Sequence, residues 1–157
     1  MGLSRMNLIA WINSMRSMNE ENFMNNDKKI IIVEDDRDIS SLIAYNLNKE
    51  GFVTEQVFDG ASAMQRIKDE IFNIVILDIM LPEIDGFDIC KKIKEDIRYS
   101  RSFIVVVSAK CHEEDRLYAN LLGADYYLTK PFNLASLLGA VNEISQSLDR
   151  EYLVKKG

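Results

Sequence analysis

The sequence predicts an α/β fold, a doubly wound five-stranded parallel sheet with five helices. Three observations carry this expectation. Short apolar runs alternate strictly with stretches of helical period, and such alternation gives parallel strands joined by right-handed crossovers. Several of the runs are continuously apolar and β-branched, as strands buried on both faces are. The 157 residues, 47% hydrophobic and 28% charged, make one ordinary globular domain.

The elements follow in order from Lys28. Ile30–Val33 reads as the first strand. Ile39, Leu42, Ile43 and Leu47 recur at helical spacing, and Gly51 stands where a helix C-cap belongs. Phe52–Phe58 is a strand with weak alternation. Met64, Ile67 and Ile71 mark a second helix, and Asn73–Leu77 another buried strand. Phe87, Cys90, Ile93 and Ile97 mark a third helix, before a fourth strand at Phe103–Val107. Leu117, Leu121 and Leu122 suggest a fourth helix that Gly123 ends. Tyr126–Leu128 is a short fifth strand. Leu134, Leu137, Leu138, Val141, Ile144 and Leu148 form the cleanest helical stripe of the chain.

Composition shifts near residue 28. Residues 1–27 are rich in Met and Asn and are expected to be a loosely ordered extension, with a natural start at Met24 as one reading. The rival reading is a short amphipathic helix of Leu8, Ile9, Trp11, Ile12 and Met15. The domain is expected at 28–150, and 151–157 as a C-terminal tail. Neither flank has room for an output domain, so the expectation is a chain that acts through partners or a piece of a longer protein.

Charge and cysteine usage narrow the function. With 25 acids, 19 bases and a net charge of −6, the chain is a poor nonspecific nucleic-acid binder. The basic run Lys91, Lys92, Lys94, Arg98 and Arg101 is interleaved with Asp88, Glu95 and Asp96, which reads as a solvated helix face. Cys90 and Cys111 form no CxxC, and with His112 alone they cannot build a zinc site. Both thiols read as reduced, in a cytoplasmic protein. No segment is apolar and long enough for a membrane span. The run Leu8–Ile12 is too short for a signal peptide, and Met6 breaks the myristoylation pattern.

In sheets of this kind ligands bind at the carboxyl ends of the strands. There the sequence sets Glu34, Asp35 and Asp36 after the first strand, Asp78 after the third, Ser108 after the fourth, and Thr129–Lys130–Pro131 after the fifth. Each alone has an ordinary explanation, and Asp36 in particular could cap the first helix. Together they are carboxylates whose mutual repulsion calls for a cation. All-oxygen ligation suits a hard divalent ion, Mg²⁺ above all with Mn²⁺ as the alternative. A lysine and a hydroxyl beside it would stabilise a phosphoryl group in transfer, and a carboxylate can be its acceptor. Asp78, at the end of the central strand, is the candidate.

These residues lie in five ordered motifs. They are Ile31–Asp36, Val75–Pro82, Asp85–Gly86, Val106–Ala109 and Gly123–Phe132. The set resembles the receiver domain of two-component response regulators over residues 28–150. The resemblance implies a flavodoxin-like, chemotaxis-regulator-like sheet of order 2-1-3-4-5. It implies Asp78 as phosphoacceptor from a sensor histidine kinase or phosphotransfer protein. It implies Glu34, Asp35, Asp78 and the Met80 carbonyl as Mg²⁺ ligands, Glu34 usually through water. Ser108 matches the switch hydroxyl, Lys130 the phosphoryl-binding lysine, Tyr127 the aromatic switch residue, and Pro131 a proline whose bond to Lys130 is usually cis.

The resemblance further implies an output through the fourth helix, fifth strand and fifth helix, toward an unidentified output protein or missing output domain. Met80 and Lys110, two past Asp78 and two past Ser108, border the path of attacking water. Met80 cannot orient water, so the phosphorylated form is expected to be long-lived. Such a chain is no turnover enzyme, since it catalyses only its own phosphorylation and slow dephosphorylation. Two alternatives are a Mg²⁺-dependent phosphohydrolase and a phosphorylation-independent binding module. The first lacks a second acid, because Met80 stands two past Asp78. Dimerisation is open, although Ser136 and Ala140 stand where receivers of the winged-helix class commonly carry charges for a paired dimer.

Overall fold

The computed structural model describes residues 28–157 together with residues 9 and 10. The remaining expectations for residues 1–27 lie outside the described residues. The strands are β1 (Lys29–Val33), β2 (Val53–Val57), β3 (Ile74–Leu77), β4 (Phe103–Ser108) and β5 (Tyr126–Thr129). All pairings are parallel, in the order β2-β1-β3-β4-β5. The helices are α1 (Arg37–Lys49), α2 (Gly60–Asp69), α3 (Gly86–Glu95), α4 (Glu113–Leu121) and α5 (Leu134–Lys156).

Strand alternation builds two apolar layers, because successive side chains point to opposite faces. Ile31, Val33, Val75, Leu77, Ile104 and Val106 face α2, α3 and α4, meeting Ile67, Phe87 and Ala119 among others. Ile30, Ile32, Ile74, Ile76, Val105 and Val107 face α1 and α5, meeting Ile43, Leu47, Leu137, Val141 and Ile144. With both faces covered, continuous β-branched runs are what the strands require.

Helix starts are set by short polar side chains that satisfy the free amides of the first turn. Asp36 accepts from the amides of Asp38 and Ile39, Asp59 from Ser62, Asp85 from Phe87, and Asn133 from Ala135. His112 precedes α4 without a side-chain cap. Gly51 and Gly123, with φ of 90° and 97°, follow α1 and α4 in the left-handed conformation that glycine takes most cheaply.

The apolar assignments of Ile71, Ile97, Leu117 and Leu121 differ from the sequence expectation. Ile71 and Ile97 lie beyond α2 and α3, and Ile97 is 89% exposed. The chain turns at Asp96, and Tyr99 takes the buried place, its hydroxyl donating to the Lys68 carbonyl at 3.2 Å. Leu117 and Leu121 share the outward face of α4, since residues four apart on a helix lie on one side. Ala119 is the residue α4 buries fully. Ala140 is buried, so its lack of charge reflects packing rather than the chemistry of a surface. Finally, residues 151–156 continue α5 as helix.

Candidate functional site

The strand register brings the predicted residues to one edge of the sheet. Val33 is level with Leu77, and Leu77 with Val106. Glu34, Asp35 and Asp78 therefore leave neighbouring strands side by side. The ladder runs past the strand ends: the Glu34 amide donates to the Val57 carbonyl at 3.1 Å and the Asp78 amide to the Val33 carbonyl at 2.9 Å.

Glu34, Asp35 and Asp78 each offer a carboxylate oxygen, and these oxygens lie within 4.8 Å of one another. Glu34 and Asp78 are 2% and 5% exposed, while Asp35 faces solvent. Buried carboxylates need charge and hydrogen-bond compensation. Lys130 supplies it, with its Nζ 2.6 Å from Glu34 Oε2 and 2.8 Å from Asp78 Oδ2. The Met80 amide donates to Asp78 Oδ1 at 2.8 Å, and the Asp36 amide to Glu34 Oε1 at 3.1 Å. Asp36 is thus a cap beside the cluster, not one of its members.

These contacts set the protonation balance. Burial raises the Glu34 pKa above the usual carboxylate value, against the lowering pull of the Lys130 and Asp36 hydrogen bonds. Burial would lower Lys130, but its hydrogen bonds to Asp78 and Glu34 outweigh that and hold the ammonium above its ordinary pKa. Lys130 is therefore a fixed positive charge aimed at Asp78.

Two further groups approach from β4 and β5. Ser108 is fully buried, and its Oγ accepts from the Lys110 amide at 3.3 Å. The Lys130 amide donates to the Ser108 carbonyl at 2.8 Å, and the Lys130–Pro131 peptide is cis. Tyr127 is half-buried against the α2–α4 side of the core and donates its hydroxyl to the Lys110 carbonyl at 2.8 Å. Burial, then the nearby Asp115 carboxylate, raises its pKa. The Lys110 ammonium sits over the Phe87 ring at 5.0 Å. The Met80 side chain is half exposed beside Asp78.

The loop after Asp78 is held by glycine. The Gly86 amide donates to the Ile79 carbonyl at 3.0 Å, and a Cβ at 86 would stand 2.8 Å from the Asp78 carbonyl oxygen. No side chain fits there. Glu83, in the same loop, has a φ of 69°.

The donor set fits a hard cation. All three groups are carboxylates, and ligands of an octahedral ion at about 2.1 Å stand roughly 3–4 Å apart. The 4.8 Å limit on the spacing of the three oxygens is close to that range. Among the described residues no other group of three such side chains is gathered this way. Three of the five bases in the basic run are engaged in ion pairs, Lys91 with Glu95, Lys94 with Asp125, and Arg98 with Asp96.

Sequence reasoning missed Arg116. From α4 its Nη2 donates to Thr129 Oγ1 at 2.5 Å, its Nη1 to the Tyr127 carbonyl at 3.4 Å, and its guanidinium lies 5.1 Å from the Tyr127 ring centroid. The available signal was a lone arginine directly after three acids, three residues before the inward-facing Ala119.

The family model of the response regulator receiver domain matches residues 30–142. Regulatory protein VanRc of Enterococcus gallinarum is 35% identical over 114 residues, which is 73% of this chain and 48% of VanRc. The chain thus spans about half the length of that curated relative. The CheY-like response regulator receiver domain protein of Methanospirillum hungatei JF-1 superposes with a TM-score of 0.74 at 27% identity, covering 79% of this chain and 98% of that one. The BeF3-activated DrrB receiver domain superposes with a TM-score of 0.70 at 30% identity, covering 76% and 97%.

Proposed function

The chain belongs to the response regulator receiver domain family of two-component signalling, and from that premise we propose that Asp78 is its phosphoacceptor. The donor is the phosphohistidine of a sensor kinase or phosphotransfer protein. An Asp78 carboxylate oxygen attacks phosphorus, the P–N bond breaks, and the imidazole leaves, taking up a proton. The product is an acyl phosphate on Asp78. The observation that carries this reading is the ammonium of Lys130 bridging two buried carboxylates, with a third within 4.8 Å.

Mg²⁺ (or Mn²⁺) would be held by Asp35, Asp78 and the Met80 carbonyl, with Glu34 acting through water. When bound it supplies positive charge and open positions for phosphoryl oxygens. The phosphoryl group adds about −1.5 to −2 charges to the acidic cluster. Lys130 follows the new charge, and the Ser108 hydroxyl turns toward it. Tyr127, already seated with its hydroxyl on the Lys110 carbonyl, backs the space that Ser108 leaves, and the α4–β5–α5 face repacks toward an output protein or domain.

The chain works as a signalling protein in the cytoplasm, without membrane insertion or nucleic-acid binding of its own. Among the described residues no helix is long and apolar enough to cross a membrane. Dimerisation through the switched face is compatible with this role. The chain catalyses only its own phosphorylation and a slow dephosphorylation, since Met80 gives attacking water no acid or base.

Phosphoramidate with Mg²⁺ tests the reading. An acid-stable, base-labile phosphoprotein band is expected, absent in Asp78→Asn and absent with chelator. Continuous turnover of a small phosphoester would favour a phosphohydrolase instead. An Asp78→Asn chain that still signals would favour a phosphorylation-independent binding module.

A further inference from the structure

Two lines of contact leave the acidic cluster, and both end on one side chain. The first runs from Asp78 to the Lys130 ammonium at 2.8 Å, and so to the preceding residue Thr129, the last of β5. The second runs from Ser108 Oγ to the Lys110 amide at 3.3 Å, then from the Lys110 carbonyl to the Tyr127 hydroxyl at 2.8 Å. Tyr127 and Thr129 are two residues apart on β5 and so share a face. Arg116 grips both. It donates to Thr129 Oγ1 at 2.5 Å and to the Tyr127 carbonyl at 3.4 Å, and it lies over the Tyr127 ring.

We infer that Arg116 is a positioning residue that couples α4 to the phosphorylation site by clamping Tyr127 and Thr129 on β5. The inference rests on the proposal that Asp78 accepts a phosphoryl group, and deepens it.

The chemistry suits arginine alone. A planar guanidinium offers donors in two directions while its face covers an aromatic ring. A lysine ammonium can keep the charge but cannot do all three. β5 is the edge of the sheet, with β4 as its only partner strand, so nothing in the sheet holds its outer side.

The direction of the coupling follows from what is clamped. Arg116 holds Tyr127 with its hydroxyl under the Lys110 carbonyl. When Ser108 turns to a phosphoryl oxygen it gives up the Lys110 amide, and a ring already seated under that loop supports the new position. The clamp therefore favours the phosphoryl-bound arrangement. By linkage, loosening it weakens the site's affinity for a phosphoryl mimic, and binding of the mimic tightens the clamp.

The test uses the full chain with Mg²⁺ and beryllofluoride, and a fluorinated tyrosine at position 127 read by ¹⁹F NMR. In the wild type, beryllofluoride should bind and shift the 127 resonance. Arg116→Gln and Arg116→Lys should each move that resonance before any mimic is added, and should weaken beryllofluoride binding about fivefold or more. Thr129→Val should weaken it as well, and the double variant should be no weaker than the worse single one. Leu117→Ala, on the outward face of α4, controls for general loosening of the helix and should bind as wild type. Wild-type affinity in both Arg116 variants overturns the inference, as does equal weakening in Leu117→Ala. If beryllofluoride fails to bind the wild type, the phosphoacceptor reading itself falls, and the inference with it.

Discussion

Gly86 and Gly139 both lie within helices, and alanine is expected to have opposite effects at the two positions. Gly139 is in the second turn of α5, and a Cβ built there has nothing within 4 Å. Alanine removes backbone freedom from the unfolded chain and meets no obstacle, so a gain of about 0.5–1 kcal/mol is expected. Gly86 is the first residue of α3 and lies against the loop that follows Asp78. Its Cβ would stand 2.8 Å from the Asp78 carbonyl oxygen, 2.9 Å from the Ile79 carbonyl oxygen, and closer still to the Ile79 Cα. All three are backbone atoms, so no side chain can rotate away. Favourable heavy-atom contact begins near 3.5 Å, so the backbone must retreat by more than about half an ångström. That retreat strains or breaks the Gly86–Ile79 hydrogen bond, a loss of about 1 kcal/mol. Overpacking adds about 1–3 kcal/mol. The expected loss is then about 2–4 kcal/mol, or roughly 5–15 °C in Tm for a chain of this size. Urea unfolding followed by circular dichroism measures both variants. A Gly86→Ala protein within 0.5 kcal/mol of wild type would refute the packing argument, because helix propensity alone predicts a gain there.

Four other outcomes follow from particular residues. Glu83 is exposed with a φ of 69°, so Glu83→Gly should raise stability by about 0.5–1 kcal/mol, measured by the same urea unfolding. Burial pushes the Cys90 thiol up to about 11, whereas Cys111 is exposed. A thiol reagent at pH 8 should therefore modify one cysteine per native chain, mapped to Cys111. The raised Cys90 pKa contributes stability that is complete below the unfolded thiol pKa near 8.5 and is lost as pH rises toward 11. The loss is about 3 kcal/mol, and Cys90→Ala should flatten the alkaline limb of the stability profile accordingly. Met80→Glu would place a carboxylate beside the water path, so it should shorten the phospho-Asp78 half-life measured by loss of label. An unchanged half-life would remove Met80 from the account.

Much of this was legible in the sequence because fold and site share one pattern. Strands buried on both faces must be apolar throughout, so Ile30–Val33 and Phe103–Val107 announce themselves. The polar residue that ends each run then marks the edge where chemistry gathers. Asp78, Asp35, Ser108 and Lys130 were found that way, and the register lays them together. What was not legible depended on helix phase and on three-dimensional direction. Leu117 and Leu121 look like core but face outward, because α4 approaches the sheet through Ala119. Ile97 continues the α3 period in sequence, yet the turn at Asp96 gives the interior to Tyr99. Arg116 carries no motif, and only the position of α4 over β5 shows that it reaches Tyr127 and Thr129. Glu34 and Asp36 look alike in sequence, yet burial and an ion pair separate a cluster member from a helix cap.

The most direct test of the central claim is the mass of the intact chain after incubation with phosphoramidate and Mg²⁺, with peptide mapping of the product. A single added phosphoryl group per chain, on Asp78 and stable over repeated sampling, is the predicted result. No added mass, or a phosphoryl group mapped to any other residue, would contradict the account.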